Sequence, residues 1–228
     1  MTTLQAAWLG RVDYSRAFAL QQALAERRAG GEIGDTLLLL EHDPVYTLGR
    51  RANDGEILLD PETLAARGIE VQHTDRGGRV TYHGPGQLVG YPIVDLGAAG
   101  DLVAYVRALE TAMIATCAQF GVGAATVEGL TGVWAGNDKI GAIGVHVSRG
   151  ITTHGFALNV TTDLSAFGGI IPCGIVDRGV TSLQQLTGSA IPLERVARKA
   201  GNHVAAALGT SVMWRHPSVV LEAAGSHV

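Results

Sequence analysis

Two cysteines carry the strongest nucleophiles in this chain of 228 residues. Cys173 stands between a proline and a glycine in the irregular, glycine-rich stretch 163–180, where no regular packing face requires a thiol. Because reactive groups lie on loops more often than in cores, Cys173 is a candidate nucleophile. Cys117 lies on the apolar stripe of a predicted helix, so we interpret it as a small core residue.

The scarcity of lysine points to a second candidate for the chemistry. Of the 17 lysine and arginine residues, only Lys139 and Lys199 are lysines. Arginine does not give up its proton in proteins, whereas the pKa of lysine moves readily on burial. Lys199 lies beside two arginines on a predicted solvated helix face. Lys139 stands where a turn enters a glycine-rich strand, so it is either a surface hairpin lysine or a group kept for proton chemistry.

The stretch from Arg76 to Tyr91 reads RGGRVTYHGPGQLVGY. Its paired glycines permit positive φ angles and a close backbone approach by a ligand. Two strand-like pieces meet at the Gly84-Pro85-Gly86 turn. Such a stretch forms either an ordinary hairpin or a ligand-lined wall of backbone and polar side chains.

This stretch resembles the Arg-Gly-Gly-x-x-Thr-aromatic-His-x-x-Gly-Gln-x-x-x-Tyr signature of the lipoyl(octanoyl) transferases. Three further motifs fit the same family: GVWAGNDKIGAIG from Gly132, THGFALN from Thr153 and IPCGI from Ile171. The resemblance extends from about Leu39 to Leu183. It implies that octanoyl moves from acyl carrier protein to a specific lysine of lipoyl domains, the first step of protein lipoylation. The implied acceptors are the lipoyl domains of 2-oxoacid dehydrogenase E2 subunits and the glycine cleavage H protein.

The resemblance also assigns roles to residues. Cys173 would carry the acyl group as a thioester and Lys139 would be its partner, forming a Cys/Lys dyad. The implied substrate-binding residues are Arg76, Gly77, Gly78, Arg79, Val80, Thr81, Tyr82, His83, Ala142, Ile143, Gly144, Gly155, Phe156 and Ala157. Small residues in 142–144 and 155–157 would let backbone N–H groups approach a developing oxyanion.

The implied chemistry agrees with the properties of the two side chains. A thiol at its ordinary pKa is only a few per cent thiolate at neutral pH, so a neighbouring cation or base is needed. Lys139 could supply charge, accept the proton, or do both. A rival interpretation is a Cys-His hydrolase in which His83 or His154 activates Cys173, although either histidine could equally orient a loop.

Two other functions remain alternatives: an ATP-dependent lipoate-protein ligase on the same fold, and a non-catalytic lipoyl-domain binding protein. We expect no cofactor, since neither a G-x-x-x-x-G-K-[ST] loop nor a G-x-G-x-x-G motif opening a helix is present. We also expect no metal, since no H-E-x-x-H or C-x-x-C spacing occurs.

Composition and charge argue against two classes of protein, nucleic-acid binders and membrane proteins. A net charge of −4 argues against a nucleic-acid binder, which usually has a basic face. No apolar run reaches the roughly 18 residues that span a bilayer, so no membrane association is expected. The first residues lack the layout of a signal peptide, and we expect a cytoplasmic protein with reduced thiols.

The predicted elements group rather than alternate, which favours an α+β fold with a mixed β-sheet and helices. The resemblance implies the same fold, shared with the catalytic core of biotin and lipoate protein ligases. We predict a single catalytic domain over 1–216 and a C-terminal tail over 217–228. Its clearest elements are a buried strand at 36–41 and a helix over 101–120 whose apolar stripe begins at Leu102.

Overall fold

The computed structural model describes residues 3–98, 100–171 and 178–225. In chain order the strands are β1 (Thr3–Arg11), β2 (Thr36–Glu41), β3 (Val45–Leu48), β4 (Glu70–His73), β5 (Val80–His83), β6 (Gln87–Ile93), β7 (Ala125–Val127), β8 (Leu130–Ala135), β9 (Asp138–Ser148), β10 (Ile151–Asn159) and β11 (Ser211–Trp214). The helices are α1 (Tyr14–Ala29), α2 (Pro61–Ala66), α3 (Leu102–Ala118), α4 (Leu183–Thr187), α5 (Leu193–Ala207) and α6 (Pro217–Ala223). Short 3₁₀ turns occupy Asp54–Glu56 and Leu164–Gly169.

The strands form two sheets. Eight strands make the larger one, in the order β11-β1-β2-β6-β10-β9-β8-β7, and β4-β3-β5 make the smaller one. Strand β1 runs parallel to β2 and β11, whereas the pairs from β2 to β7 are antiparallel. Mixed sheets with helices confirm the predicted α+β class.

Strand β2 explains how the large sheet is covered on both sides. Successive side chains of a strand point to opposite faces. Leu37 and Leu39 pack in the core beneath α3 and α5, whereas Leu38 and Leu40 pack in the core beneath α1. All four leucines are fully buried, which confirms the strand predicted at 36–41.

Helices α1 and α3 each begin at an aspartate that caps the first turn. The Asp13 carboxylate accepts a hydrogen bond from Arg16 N, and the Asp101 carboxylate accepts from two backbone N–H groups of the first turn. The prediction that Leu102 opens the buried stripe is wrong, since it is 45% exposed. The stripe begins one turn later, at Tyr105, because the first turn extends beyond the part of the helix that packs on the core.

The predicted C-terminal tail is partly a helix. Over Pro217–Ala223 the chain forms α6, with His216 accepting a hydrogen bond from Ser218 N as its cap. Val220 is buried against the α1 side of the sheet, and Ala223 O accepts from Arg27 Nη1 at 2.7 Å. A helix of seven residues has too short a periodic pattern to be read from sequence.

Candidate active site

The three predicted substrate-binding segments lie together. In the ladder between β9 and β10, segment 142–144 pairs residue by residue with segment 155–157. The loop that follows Arg76 packs on β9, because Gly77 N donates to Val145 O at 2.9 Å. That loop leads directly into β5. These contacts thus bring the stretch from Arg76 to His83 beside two segments that lie some 60 to 80 residues later in the chain.

Gly144 is needed where the loop packs on the strand. A Cβ atom added at Gly144 would lie 2.8 Å from Gly77 O, closer than real Cβ atoms approach backbone oxygens. Only glycine permits so close a contact between two backbones. The position of the loop after Arg76 therefore depends on this residue.

A cavity of about 230 Å³ lies beside these segments. Among the described residues that line it, the charged ones are all basic, namely Arg51, Arg76, Arg79 and Lys139. Its apolar wall is formed by Val80, Val89, Leu130, Ile143 and Phe156. An apolar slot with a cationic rim fits an aliphatic chain attached to a polar or acidic carrier.

Lys139 lies at the junction of two cavities. A second cavity, of about 50 Å³, shares Lys139, Thr81, Ala142 and Ala157 with the first. Lys139 Nζ donates to Thr131 O at 3.3 Å and lies 4.7 Å from the ring centre of Trp134. Lys139 thus lies in the hairpin between β8 and β9, and its side chain forms part of a cavity wall.

Cys173 lies outside the described residues, but both of its flanks are anchored at the site. On one side, Ile171 N donates to Glu56 O at 2.8 Å, and the Glu56 carboxylate binds Arg79 at 2.9 Å. On the other side, Lys139 N donates to Gly179 O and Thr181 N donates to Lys139 O, each at 3.0 Å. The chain therefore leaves the described part near one basic cavity residue and re-enters beside Lys139.

Arg76 braces the loop that carries it. Its guanidinium donates to the Thr47 hydroxyl and carbonyl over 2.5–3.2 Å and to Gly77 O at 3.0 Å. The residue is only 6% exposed. Backbone and hydroxyl acceptors thus satisfy a buried cation that borders the cavity.

A chain of hydrogen bonds fixes the tautomer of His83. Asn159 Nδ2 donates to Thr181 O, which turns Asn159 Oδ1 toward Gln87 Nε2 at 3.0 Å. The remaining Gln87 oxygen then accepts from His83 Nδ1 at 2.7 Å. Burial, assisted by the neighbouring His42, lowers the pKa of His83 to about 3. The ring is neutral, with its proton on Nδ1 and an acceptor lone pair on Nε2.

His154 is held in an unusual backbone conformation. Its φ of 57° lies in the left-handed region, which non-glycine residues rarely adopt. Gln21 Oε1 accepts from His154 N at 2.7 Å, and Asp75 Oδ1 accepts from His154 Nε2 at 2.6 Å. Burial lowers the pKa of His154, and the hydrogen bond from His154 lowers the pKa of Asp75. A neutral imidazole thus donates to a carboxylate at the cavity wall.

Cys117 has the environment of a core residue. It is fully buried on α3, and burial raises the pKa of its thiol to about 12. Such a thiol is unreactive at neutral pH. The predicted assignment of Cys117 to the core is confirmed.

Comparisons with known proteins identify the family. The model of the lipoyl protein ligase A/B catalytic domain matches residues 13–205. An octanoyltransferase of Acidobacterium capsulatum is 52% identical over 222 residues, which cover 90% of this chain and 90% of the relative. The chain belongs to the family of lipoyl protein ligase A/B catalytic domains. An octanoyltransferase of Chloroflexus aggregans is 54% identical over 201 residues, covering 86% of this chain and 91% of the relative. The predicted resemblance is confirmed, and the chain is an enzyme of the transferase class.

Solved structures share the fold. Lipoate-protein ligase A bound with ATP superposes with a TM-score of 0.81 at 17% identity, covering 98% of this chain and 92% of the other. Biotin protein ligase from Aquifex aeolicus, in complex with biotin and ATP, gives a TM-score of 0.55 at 16% identity, covering 90% and 70%. The predicted relation to the catalytic core of these ligases is confirmed at the level of fold.

Two predicted substrate-binding residues do not line the cavity wall of the described structure. Gly77 uses its N–H on Val145, as above. Tyr82 points to the opposite face of β5 from Thr81 and His83, and its ring packs edge-on against Tyr46 and Phe167. Tyr82 is instead part of the hydrophobic cluster that packs against the small sheet. The other twelve predicted residues line it.

Sequence reasoning missed several cavity residues, among them Tyr14, Gly129, Leu130 and Thr131. Tyr14 comes from the first turn of α1, stacks on His83 at 6.3 Å between ring centres, and has a buried hydroxyl with no hydrogen-bond partner among the described residues. The composition of α1 gives no signal for this role.

Across the described ranges no cluster of three or more ligand-type side chains is suited to a metal ion, and no helix there is long and apolar enough to cross a membrane.

Proposed function

We propose that this enzyme transfers octanoyl from octanoyl-acyl carrier protein to the ε-amino group of a lipoyl-domain lysine, through a thioester on Cys173. In the first half-reaction the Cys173 thiolate attacks the donor carbonyl. A new S–C bond forms, the donor S–C bond breaks, and the carrier leaves as a thiol after taking up a proton. In the second half-reaction the lysine amine attacks, an amide N–C bond forms, and Cys173 is released as a thiol.

The placement of Lys139 is the observation that carries this proposal. Its side chain belongs to the cavity wall, and its backbone binds Gly179 and Thr181, where the chain rejoins after the segment containing Cys173. A cation there would favour the thiolate, and an amine there could exchange the proton that each half-reaction moves. We assign Lys139 as the partner of Cys173 for these reasons.

The apolar wall of the cavity supports an eight-carbon acyl chain. Burial of each methylene contributes roughly 0.8 kcal/mol, so an octanoyl chain would gain about 5 kcal/mol in a dry slot. The small residues opposite one another on β9 and β10 leave the space for that chain. We propose that Val80, Ile143 and Phe156 contact it.

The edge of β9 offers an oxyanion donor. Strand β8 pairs with β9 only as far as Gly141, and Val145 O, further along the same edge, accepts from Gly77 N. Backbone groups of alternate residues face the same edge of a strand. The N–H of Ile143, between these two, therefore faces the open gap. Residues 155–157 differ, because they lie on β10 and are paired with β9. We propose Ile143 N–H as a donor to the tetrahedral intermediate.

The basic residues at the rim of the cavity favour the binding of acidic protein partners. Arg50 and Arg51 are exposed beside the cavity, and their N–H groups bind the backbone of the loop after Arg76. We propose that octanoyl-acyl carrier protein docks there, and that lipoyl domains of E2 subunits and of the glycine cleavage H protein replace it in turn. The reactive thiol requires a reducing compartment, so we propose that the enzyme works in the cytoplasm.

Intact-mass measurement after mixing with octanoyl-acyl carrier protein, without ATP, tests the proposal. We expect the mass to rise by one octanoyl group, peptide mapping to place it on Cys173, and addition of a lipoyl domain to remove it. Cys173→Ser serves as the matched negative control. Transfer that requires ATP would instead indicate a ligase, and an unmodified protein that still binds lipoyl domains would indicate a binding protein.

A further inference from the structure

Glu110 is a buried carboxylate whose two oxygens have different partners. It lies on α3 and is 1% exposed. Oε2 accepts from Arg107 Nη1 at 2.5 Å, and Oε1 accepts from Gly132 N at 2.9 Å, on a neighbouring strand. A buried carboxylate is tolerated only when its oxygens are satisfied. Because both bonds are made, Glu110 connects α3 to the start of β8.

The strand that Glu110 holds is in contact with Lys139. Gly132 has a φ of 122°, and a Cβ there would lie 2.6 Å from Gly141 O, so the backbone at this point is tightly constrained. The carbonyl of the preceding residue, Thr131, accepts from Lys139 Nζ at 3.3 Å. The peptide unit between Thr131 and Gly132 therefore binds the Glu110 carboxylate through its N–H and the lysine ammonium through its C=O.

The hydrogen bond from Gly132 N to Glu110 orients the dipole of the Thr131–Gly132 peptide. Hydrogen bonding of an amide N–H to a carboxylate fixes the direction of the peptide plane, and its carbonyl then points to the opposite side. Lys139 has a flexible four-carbon stem that loses considerable rotamer freedom when it is fixed. The Trp134 face and the Thr131 carbonyl supply contacts that counteract this loss.

We propose that Glu110 is a positioning residue, which sets the reactive conformation of Lys139 through the Thr131–Gly132 peptide. The inference rests on the proposed function only in assigning Lys139 to the dyad. Glu110 lines neither of the two cavities. It acts by aiming the carbonyl that holds the ammonium beside Trp134 at the junction of the two cavities.

The composition of the chain allows a direct spectroscopic test. Only Lys139 and Lys199 take up labelled lysine, and Lys199→Arg assigns the two side-chain signals. In the wild type, the Cε protons of Lys139 should resonate upfield of those of Lys199, because they lie over the Trp134 face. In Glu110→Met, which keeps the side-chain length but removes both acceptors, the Lys139 signal should move toward that of Lys199.

Two matched variants separate the hydrogen bond from the ion pair. Glu110→Gln keeps an acceptor for Gly132 N, and Arg107→Gln removes the ion pair alone, so both should leave the Lys139 signal near its wild-type position. Should Glu110→Met fail to fold, Glu110→Asp, which retracts the carboxylate by one methylene, should move the signal in the same direction. An unchanged Lys139 signal in the folded variant would overturn the proposal.

A double-mutant cycle tests the consequence for transfer. Glu110→Met should slow single-turnover octanoyl transfer at least about tenfold, with the donor KM within a factor of about two, and should cause no further slowing in Lys139→Ala. Equal slowing in both backgrounds would assign Glu110 a general structural role and overturn the proposal. Wild-type transfer by Lys139→Ala would refute the dyad, while the spectroscopic result on Glu110 would still stand.

Discussion

The imidazole of His42 accepts a hydrogen bond from the Tyr91 hydroxyl, with 2.7 Å between His42 Nε2 and Tyr91 Oη. His42 Nδ1 donates to Val12 O at 2.8 Å, which leaves Nε2 as the acceptor. Burial lowers the pKa of His42 to about 4. His42 is also an aromatic neighbour of His83, at 5.8 Å between ring centres. Two neutral imidazoles thus lie edge to face, and one of them, His83, lines the cavity.

We expect stability to fall as the pH is lowered from 7 toward 4. The unfolded chain binds protons at these histidines below about pH 6.5, whereas the folded chain does not until about pH 4 for His42 and about pH 3 for His83. Because the unfolded state binds more protons in this window, the free energy of unfolding decreases by about 1.4 kcal/mol per pH unit for each group. Denaturant titrations between pH 7 and 4.5 measure this slope.

Substitution of His42 shows how much of the pH dependence of stability comes from this residue. His42→Gln, whose amide can donate to Val12 O and accept from Tyr91, should reduce the slope by about one proton. His73→Gln, at a side chain that is 72% exposed, should leave it unchanged. Equal slopes in the wild type and His42→Gln would show that His42 titrates normally.

Gly144→Ala should displace the loop after Arg76, because its new Cβ would lie 2.8 Å from Gly77 O. Overpacking of this kind costs about 1–3 kcal/mol, and we expect the KM for the octanoyl donor to rise severalfold. Gly123→Ala is the matched control, since nothing lies within 4 Å of its added Cβ. Thermal unfolding and donor kinetics measure both effects. A Gly144→Ala protein as active as Gly123→Ala would show that the loop adapts.

Much of the fold could be predicted because its signals are local. The apolar run at 36–41 and the helix predicted over 101–120 each depend on one stretch of the chain, and the structure has a strand and a helix there. Strand β7 and helix α4 were not predicted, since three and five residues carry too little periodicity.

The site was predictable only where a motif marked it. Segments 142–144 and 155–157 followed from the family resemblance, whereas Glu110 and Gln21 are polar residues on amphipathic helices with no distinguishing pattern. Their roles come from partners 22 and 133 residues away. Propensity and periodicity do not report such contacts, because they depend on how helices pack over the sheet.

Arg50→Glu should weaken the productive encounter with octanoyl-acyl carrier protein. The exposed Arg50 and Arg51 extend the basic rim of the cavity, and a reversed charge there would repel an acidic carrier. We expect the donor KM to rise severalfold and its salt dependence to flatten. Lys199→Glu, with the same charge change on α5, should leave both unaltered. An unchanged KM and salt slope in Arg50→Glu would place the docking surface elsewhere.

Cys117→Ala should retain octanoyl transfer and lose only stability, by roughly 1 kcal/mol, because a small buried side chain is shortened. Its thiol is fully buried, with a pKa of about 12, so octanoyl or iodoacetamide should not label it in the folded protein. Peptide mapping of the wild type and unfolding of the variant check both statements. Octanoyl found on Cys117 would contradict the proposed thioester on Cys173.

Substitutions at Lys139 separate its charge from its proton. Lys139→Arg keeps a cation at the cavity junction but removes the group that can exchange a proton, whereas Lys139→Ala removes both. If charge alone favours the Cys173 thiolate, arginine should preserve much of the rate. If Lys139 shuttles a proton, both variants should lose about 10²- to 10⁴-fold. The scarcity of lysine in an arginine-rich chain favours the shuttle.

We therefore expect Lys139→Arg to be nearly as impaired in transfer as Lys139→Ala, while both still bind the acyl donor. Single-turnover transfer gives the rates, and Lys199→Arg, on the solvated face of α5, is the control with the same chemical change. Iodoacetamide labelling against pH provides a second measurement, since the apparent pKa of Cys173 should be higher in Lys139→Ala than in the wild type. The shuttle is excluded if Lys139→Arg transfers octanoyl within a few-fold of the wild-type rate, because charge alone would then suffice.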